Sequence, residues 1–137
     1  MGIFNIFGKR DVATELTKSS PYKLTTEWVP YRLYANKNSS ALLIIKIKNL
    51  TPEVLMTSVA AELPKNLAFE QMGLSKEREA RLGDLGPNEE KEIRMEVFSG
   101  LTSDAGEYTI GLTAMAHYRD YGHILNAVKK RVLIEVV

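Results

Sequence analysis

The chain has two histidines, His117 and His123, and they flank the stretch Tyr118-Arg119-Asp120-Tyr121-Gly122. Two imidazoles and a carboxylate are metal-ligand types, so His117, Asp120 and His123 form a nominal site. A turn does not force those side chains to converge, however, and no fourth ligand is specified. A polar, solvated loop with stacked tyrosines accounts for the same residues. Ser103, Asp104 and His117 supply the residue types of an acyl-transfer triad, yet nothing nearby resembles a nucleophile elbow or an oxyanion loop. The glycines are scattered, and none of the phosphate-cradling or dinucleotide spacings occurs. With no cysteine in the chain, thiol catalysis, disulfides and cysteine-ligated metals are removed as well. The expectation is a protein without catalytic, cofactor or metal residues.

Recognition is the remaining kind of chemistry. Tyr118, Arg119, Tyr121 and His123 have the Tyr/Arg character of protein-binding hot spots, and they are the candidate partner-binding residues. A second aromatic and basic series, Tyr22, Lys23, Trp28, Tyr31, Arg32, Tyr34 and Lys37, could stack single-stranded bases or sugars. Strand alternation that buries Trp28 or the tyrosine rings between two sheets explains it better. Basic residues number 18 against 17 acidic ones, so no global field draws the chain to nucleic acid. A protein partner is expected, and no nucleic acid.

The N-terminal ten residues pose a separate question. Ile3, Phe4, Ile6 and Phe7 are apolar and Lys9 and Arg10 follow them, the reverse of the charge-then-apolar order of a secretory signal. Ile6 also fails the requirement of N-myristoylation for Ser or Thr at that position. On a helix, Ile3, Phe4 and Phe7 share a face, with Lys9 and Arg10 at its end. That arrangement suits an interfacial anchor, aromatics in the acyl boundary and cations near lipid phosphates. It resembles the membrane-targeting N-termini of cytoplasmic division and membrane-remodelling scaffolds. Packing on the domain or on a symmetry mate is the competing reading. The expected location is the cytoplasm, peripheral at the membrane if the anchor operates. The sequons Asn38-Ser39-Ser40 and Asn49-Leu50-Thr51 matter only in a secreted chain.

Residues 1–20 therefore read as an amphipathic segment and linker, and residues 21–137 as the domain that must position the candidate site. Strand patterning dominates that domain. Residues 22–35 are rich in Tyr, Trp, Val and Leu but contain Pro30, which predicts an edge strand or two short strands meeting at a bend. In 41–50, Leu43, Ile45 and Ile47 share one face and Lys46 and Lys48 the other. Leu55, Val59, Ala61 and Leu63 share a face in 53–63. A short strand is expected near 67–70, and 75–82 reads as a helical turn or a charged edge strand. Leu85-Gly86-Pro87-Asn88 is a turn, and 90–98 alternates with Ile93, Met95 and Val97 inward. Residues 107–118 alternate with Tyr108, Ile110, Leu112, Ala114, Ala116 and Tyr118 on one side. A loop over 118–127 leads to a last strand at 128–137 carrying Val132, Ile134 and Val136. Its Lys129, Lys130 and Arg131 suit an exposed edge, through which the chain could also form an oligomer.

These elements predict an all-β fold, an antiparallel β-sandwich of seven to eight strands. One short motif makes it more specific. Asp104, Gly106 and Tyr108 follow the order D-x-G-x-Y ahead of an alternating strand, as in the tyrosine corner of immunoglobulin-like sandwiches. That corner requires a buried Tyr108 whose hydroxyl bonds backbone near residues 101–104. Ile110 stands where such domains carry a disulfide cysteine. The segments IKIKNLTPE (45–53), AAELPKNLAF (60–69), LGDLGPNEEKEIRMEV (82–97) and DAGEYTIGLTA (104–114) resemble the cysteine-free immunoglobulin-like domains of archaea and bacteria of the NEW3 and CARDB types. The resemblance implies an immunoglobulin-like sandwich with a short N-terminal extension, used as a structural and adhesive module. The functional expectation is a non-enzymatic module that binds a protein, tethered to the inner membrane surface by its N-terminus. A surface adhesion or carbohydrate-associated module is the alternative.

Overall fold

A computed structural model describes residues 20–137; the proposed membrane-contact residues Ile3, Phe4, Phe7, Lys9 and Arg10 lie outside them. Nine strands form: β1 (Tyr22–Val29), β2 (Arg32–Leu33), β3 (Ser39–Asn49), β4 (Leu55–Glu62), β5 (Leu67–Ala68), β6 (Glu77–Leu85), β7 (Glu90–Ser99), β8 (Gly106–Tyr118) and β9 (Asp120–Val136). They make a four-stranded sheet in the order β1-β3-β7-β5 and a five-stranded sheet in the order β2-β9-β8-β4-β6. All pairings are antiparallel except the two-residue pairing of β2 with β9. Among the described residues no helix is long and apolar enough to cross a membrane.

Alternation dictates what lies between the sheets. Leu43, Ile45 and Ile47 of β3 meet Ile110 and Leu112 of β8, Val59 and Ala61 of β4, and Ile134 and Val136 of β9 in one buried cluster. Each fully buried aliphatic side chain contributes roughly 1.5–3 kcal/mol through area removed from water, so the cluster dominates stability. Pro30 acts as the sequence implies. The strand breaks there, after β1 has paired with β3 in one sheet, and resumes as β2 beside β9 in the other.

The open seams between the sheets are closed by side chains. On one side Lys130 of β9 donates its ammonium to the Leu24 carbonyl of β1 at 3.0 Å. Beside it, Trp28 Nε1 donates to the Leu133 carbonyl at 3.0 Å. On the opposite side Lys91 of β7 reaches the Leu82 carbonyl of β6 at 2.9 Å. Each lysine satisfies an edge carbonyl that has no partner strand.

Asn49 fastens the two sheets at one end. It is fully buried, and its Nδ2 donates to the Glu53 carbonyl at 2.7 Å and to the Leu85 carbonyl at 2.9 Å. Its Oδ1 accepts from the Thr51 amide and hydroxyl, both at 2.8 Å. Both amide protons are thus committed inside the fold, so the Asn49 sequon is a structural motif and cannot carry a glycan in this fold. The adjoining Gly86-Pro87-Asn88 turn has Asn88 at φ 62°, a left-handed conformation that asparagine tolerates.

The corner at Tyr108 forms as the motif requires: the hydroxyl donates to the Asp104 carbonyl at 2.7 Å. Asn66 Nδ2 donates to the same oxygen at 3.3 Å. Gly106 sits at φ +153°, where a side chain is strained. Ile110 is fully buried behind the corner. Tyr108 itself is half-buried rather than enclosed, because its ring lies at the rim where β8 begins.

Of the two alternatives for residues 75–82 the charged edge strand forms: β6 is exposed along most of its length, at the edge of the five-stranded sheet. Two expectations are corrected. Residues 118–127 are not a loop, because β9 begins at Asp120 and pairs with β8 back to Tyr118. Tyr118 does not continue the inward row of β8. The register shifts on both sides of His117, with the extra residues on β9. Tyr118 is left 48% exposed, and His117 stays on the outer row with Thr113 and Met115, buried where the Tyr121 ring meets it.

Candidate functional site

The candidate residues gather at the closed end of the β8–β9 hairpin. The β4–β8 ladder stops at Met56–His117, so Tyr118 to Gly122 extend past the last paired residue of the neighbouring strand. Arg119 makes the turn at φ 71° and is exposed. A turn this tight leaves the hairpin end without support from a long loop, and side chains on the outer surface of the five-stranded sheet supply it.

Tyr121 is the clamp. Its hydroxyl accepts the Gly83 amide of β6 at 2.9 Å. Its ring meets His117 edge-on, centroids 5.0 Å apart, and the Arg81 guanidinium lies 4.7 Å from its centroid. Beneath Tyr121, His117 Nε2 and the hydroxyl of fully buried Ser58 share a hydrogen bond at 2.7 Å. His117 Nδ1 is buried with no hydrogen-bond partner. A bare acceptor costs less there than an unpaired N–H, which favours the tautomer with Nε2–H donating to Ser58.

This geometry takes apart the nominal catalytic and metal sites. The serine beside His117 is Ser58, covered from solvent, while Ser103 spends its hydroxyl on the Asn66 carbonyl at 2.8 Å. Asp120 turns the other way: its Oδ1 pairs with His123 Nδ1 at 2.7 Å and accepts the Gly122 amide at 2.9 Å. Those contacts, His123 first, hold the Asp120 carboxyl below the usual carboxylate range. Among the described residues, no three His, Cys, Asp or Glu side chains are grouped to hold a metal ion.

The four candidate recognition residues therefore divide. Tyr121 faces the protein, whereas Tyr118, Arg119 and His123 face solvent, with the Tyr118 and His123 rings 5.2 Å apart. Ile124 and Leu125 stand next to them, 57% and 62% exposed. Reading 118–127 as a loop hid these two, because apolar residues in a loop carry no facing. The aromatic series of the first strands is dispersed. Tyr22 is buried with its hydroxyl 2.7 Å from that of Thr57, Trp28 is committed to the seam, and Tyr31 and Tyr34 each lie beneath a cation, Arg32 and Lys37.

A shallow trough of about 690 Å³ continues from Ile124 across the outer surface of the five-stranded sheet. Ala60, Thr113, Met115 and Ala127 make its floor, Glu62, Glu77, Arg78 and Glu79 one flank, and Lys129 the other. A second hollow of about 450 Å³ lies near the 70–75 turn. There the Glu70 carboxylate accepts the Leu74, Ser75 and Met72 amides, and these bonds, Ser75 first, pull its pKa down.

No family model matches the sequence, and no curated protein matches it. Solved structures do. A point mutant of Salmonella alpha-2-macroglobulin superposes with a TM-score of 0.62 and 21% identity, over 85% of this chain and 7% of that one. A native Escherichia coli alpha-2-macroglobulin spanning domain MG7 to the C-terminus gives 0.59 and 19%, over 84% of this chain and 16% of that one. Pseudomonas fluorescens alkylpurine DNA glycosylase AlkC, bound to DNA containing an abasic site analog, gives 0.51 and 12%, over 88% and 32%. The chain thus spans a small part of each of these proteins. At such identities the likeness shows the fold alone, an all-β sandwich of immunoglobulin-like type.

Proposed function

We propose that the protein is a non-enzymatic interaction module that binds a protein partner through the end of the β8–β9 hairpin. The observation that carries this reading is the division of labour at that end. Tyr121 fixes the hairpin to β6, which leaves Tyr118, Arg119 and His123 presented beside exposed Ile124 and Leu125. Rigid aromatic and arginine side chains next to aliphatic surface lose little entropy when a partner covers them. The narrower resemblance to the NEW3 and CARDB domain types belongs to this proposal, as does the peripheral tether at the inner membrane surface through Ile3, Phe4, Phe7, Lys9 and Arg10.

Photo-crosslinking in the source cells tests the hairpin. A photoreactive residue at Tyr118 or Leu125 is expected to give a discrete protein adduct that Arg119→Glu removes. The same residue at Thr25, on the opposite sheet, is expected to give none. Equal adducts at both places, or none at the hairpin, would contradict the reading. Vesicle co-sedimentation tests the tether separately: Phe4→Glu with Phe7→Glu should abolish pelleting with anionic vesicles, and unchanged pelleting would remove it.

A further inference from the structure

The strand register turns the trough into an ordered array of charge. Residues paired across strands share a face, so the outer surface of the five-stranded sheet can be followed row by row across β6, β4, β8 and β9. The first row is Glu77, Glu62, Gly111 and Arg131. Next comes Glu79, Ala60, Thr113 and Lys129. The third is Arg81, Ser58, Met115 and Ala127. In the first two rows carboxylates stand on β6 and β4 and cations on β9; in the third, Arg81 of β6 lies 3.8 Å from Glu79 and β9 carries Ala127. Glu62, Glu77, Glu79, Lys129 and Arg131 are all exposed. β6 and β9 stand about 14 Å apart, three strand spacings, too far for these flanks to pair within one chain.

We infer that this face docks a second copy of the chain, about a two-fold axis running parallel to the strands between β4 and β8. Rotation about that axis lays β6 of one copy over β9 of the other and leaves each row at its own height. Glu77 then faces Arg131 and Glu79 faces Lys129, each twice, while Ala60 meets Thr113. Gly111 lies opposite Glu62 and leaves space for that carboxylate to turn toward Arg131. Packed sheets sit about 10 Å apart, a gap that one acidic and one basic side chain bridge from opposite walls.

The other symmetric arrangements are repelled. A two-fold axis in the same plane but across the strands, passing between the first two rows, lays Glu77 over Glu79 and Lys129 over Arg131. Edge-to-edge pairing along the open side of β9 sets the Lys129–Arg131 run against itself, and like charges directly opposite destabilise a ladder. That edge is also partly occupied. Trp28 takes the Leu133 carbonyl, and Asn126 Oδ1 accepts the Ala127 amide at 2.8 Å. Three rows across four strands cover about 400 Å² per copy. Both copies together therefore fall at the small, transient end of specific interfaces. Tyr118 and Arg119 lie beyond the last of these rows, so dimerisation and hairpin binding are separate properties.

Sedimentation velocity on the full chain, from micromolar to millimolar at low and high salt, tests the pairing with two charge-reversed proteins. One carries Glu77→Lys and Glu79→Lys; the other carries Lys129→Glu and Arg131→Glu. The unaltered protein should dimerise at the upper concentrations, and more weakly in high salt. Each reversed protein should self-associate about tenfold more weakly or worse, because both of its flanks then carry one sign. Mixing the two should restore association as a heterodimer, since opposite flanks again face each other. The heterodimer also shows that both reversed proteins are folded. A chain that is monomeric throughout, a dimer indifferent to both reversals, or a mixture that stays monomeric would overturn the inference. Stronger self-association of the protein with Lys129→Glu and Arg131→Glu would point to β9 edge pairing instead, and overturn it equally.

Discussion

The two sheets turn outer faces of opposite design toward solvent. On the four-stranded sheet, charges of both signs mix from strand to strand: Lys46 stands opposite Glu92 and Ile44 opposite Arg94, and Arg94 Nε pairs with Glu92 at 2.7 Å. That face finds its electrostatic partners within one chain. On the five-stranded sheet the first two rows sort carboxylates and cations to opposite flanks around a floor of Ala60, Thr113, Met115 and Ala127, and only Glu79 has a partner near it, Arg81 at 3.8 Å. In the pairing inferred above, that sorted charge meets its complement on a second copy. The same alternation of in and out thus produces a self-satisfied surface on one side of the sandwich and a surface suited to recognition on the other.

The largest expected effect removes the tie between the faces. Asn49→Ala leaves the Glu53 carbonyl and the buried Leu85 carbonyl without their side-chain donor and should cost about 2–4 kcal/mol in urea unfolding. Both sheets should melt in one transition, whereas separate transitions would show that the sheets do not depend on this joint. Tyr108→Phe should act on the five-stranded side and cost about 1 kcal/mol. Gly106→Ala should cost at least as much, because alanine is strained at that φ. If Tyr108→Phe is neutral, the corner contributes nothing to stability. Smaller again is the contrast between the two faces. Lys46→Glu should lower stability by a few tenths of a kcal/mol and leave association unchanged. Lys129→Glu should leave monomer stability within about 0.5 kcal/mol while weakening self-association. Equal effects of the two on association would erase the distinction between the faces.

Acidification should produce the smallest change. Asp120 and Glu70 have carboxyls held below the ordinary range. Their contribution is therefore present above the ordinary carboxylate pKa and is lost only as pH falls through the lower, folded-state value. In an NMR titration of the side-chain carboxyl carbons, each should titrate below the ordinary range of its own residue type. Titration within that range would show that the hairpin end and the 70–75 turn are not held by these carboxylates.

Much of the fold was readable before the structure. Strands with one wet face announce themselves by alternation, as in Ile93, Met95 and Val97. Pro30 marked the sheet change, and Asp104, Gly106 and Tyr108 marked the corner. The elements that resisted are those without an apolar row. β6 is an edge strand with carboxylates and guanidinia along it, so charge masked its period. The first half of β9 is exposed on both faces, and its polar composition matched that of a loop. A bulge is invisible to alternation, so the pattern places Tyr118 inward, and the cover that Tyr121 lays over His117 cannot be read from it. The pairing of Ser58 with His117 joins residues 59 apart in sequence, and only the β4–β8 register brings them together. The row-by-row sorting of charge has the same origin, since it requires four strands to be placed side by side.

The central claim, that the five-stranded face docks a second copy of the chain, is tested most directly by amide NMR spectra of the full chain across a concentration series. The account predicts progressive shifts at Ala60, Thr113, Met115 and Ala127, with Thr25, Lys46 and Arg94 of the opposite face unmoved. Shifts confined to Thr25, Lys46 and Arg94, or spectra that do not change with concentration, would contradict it.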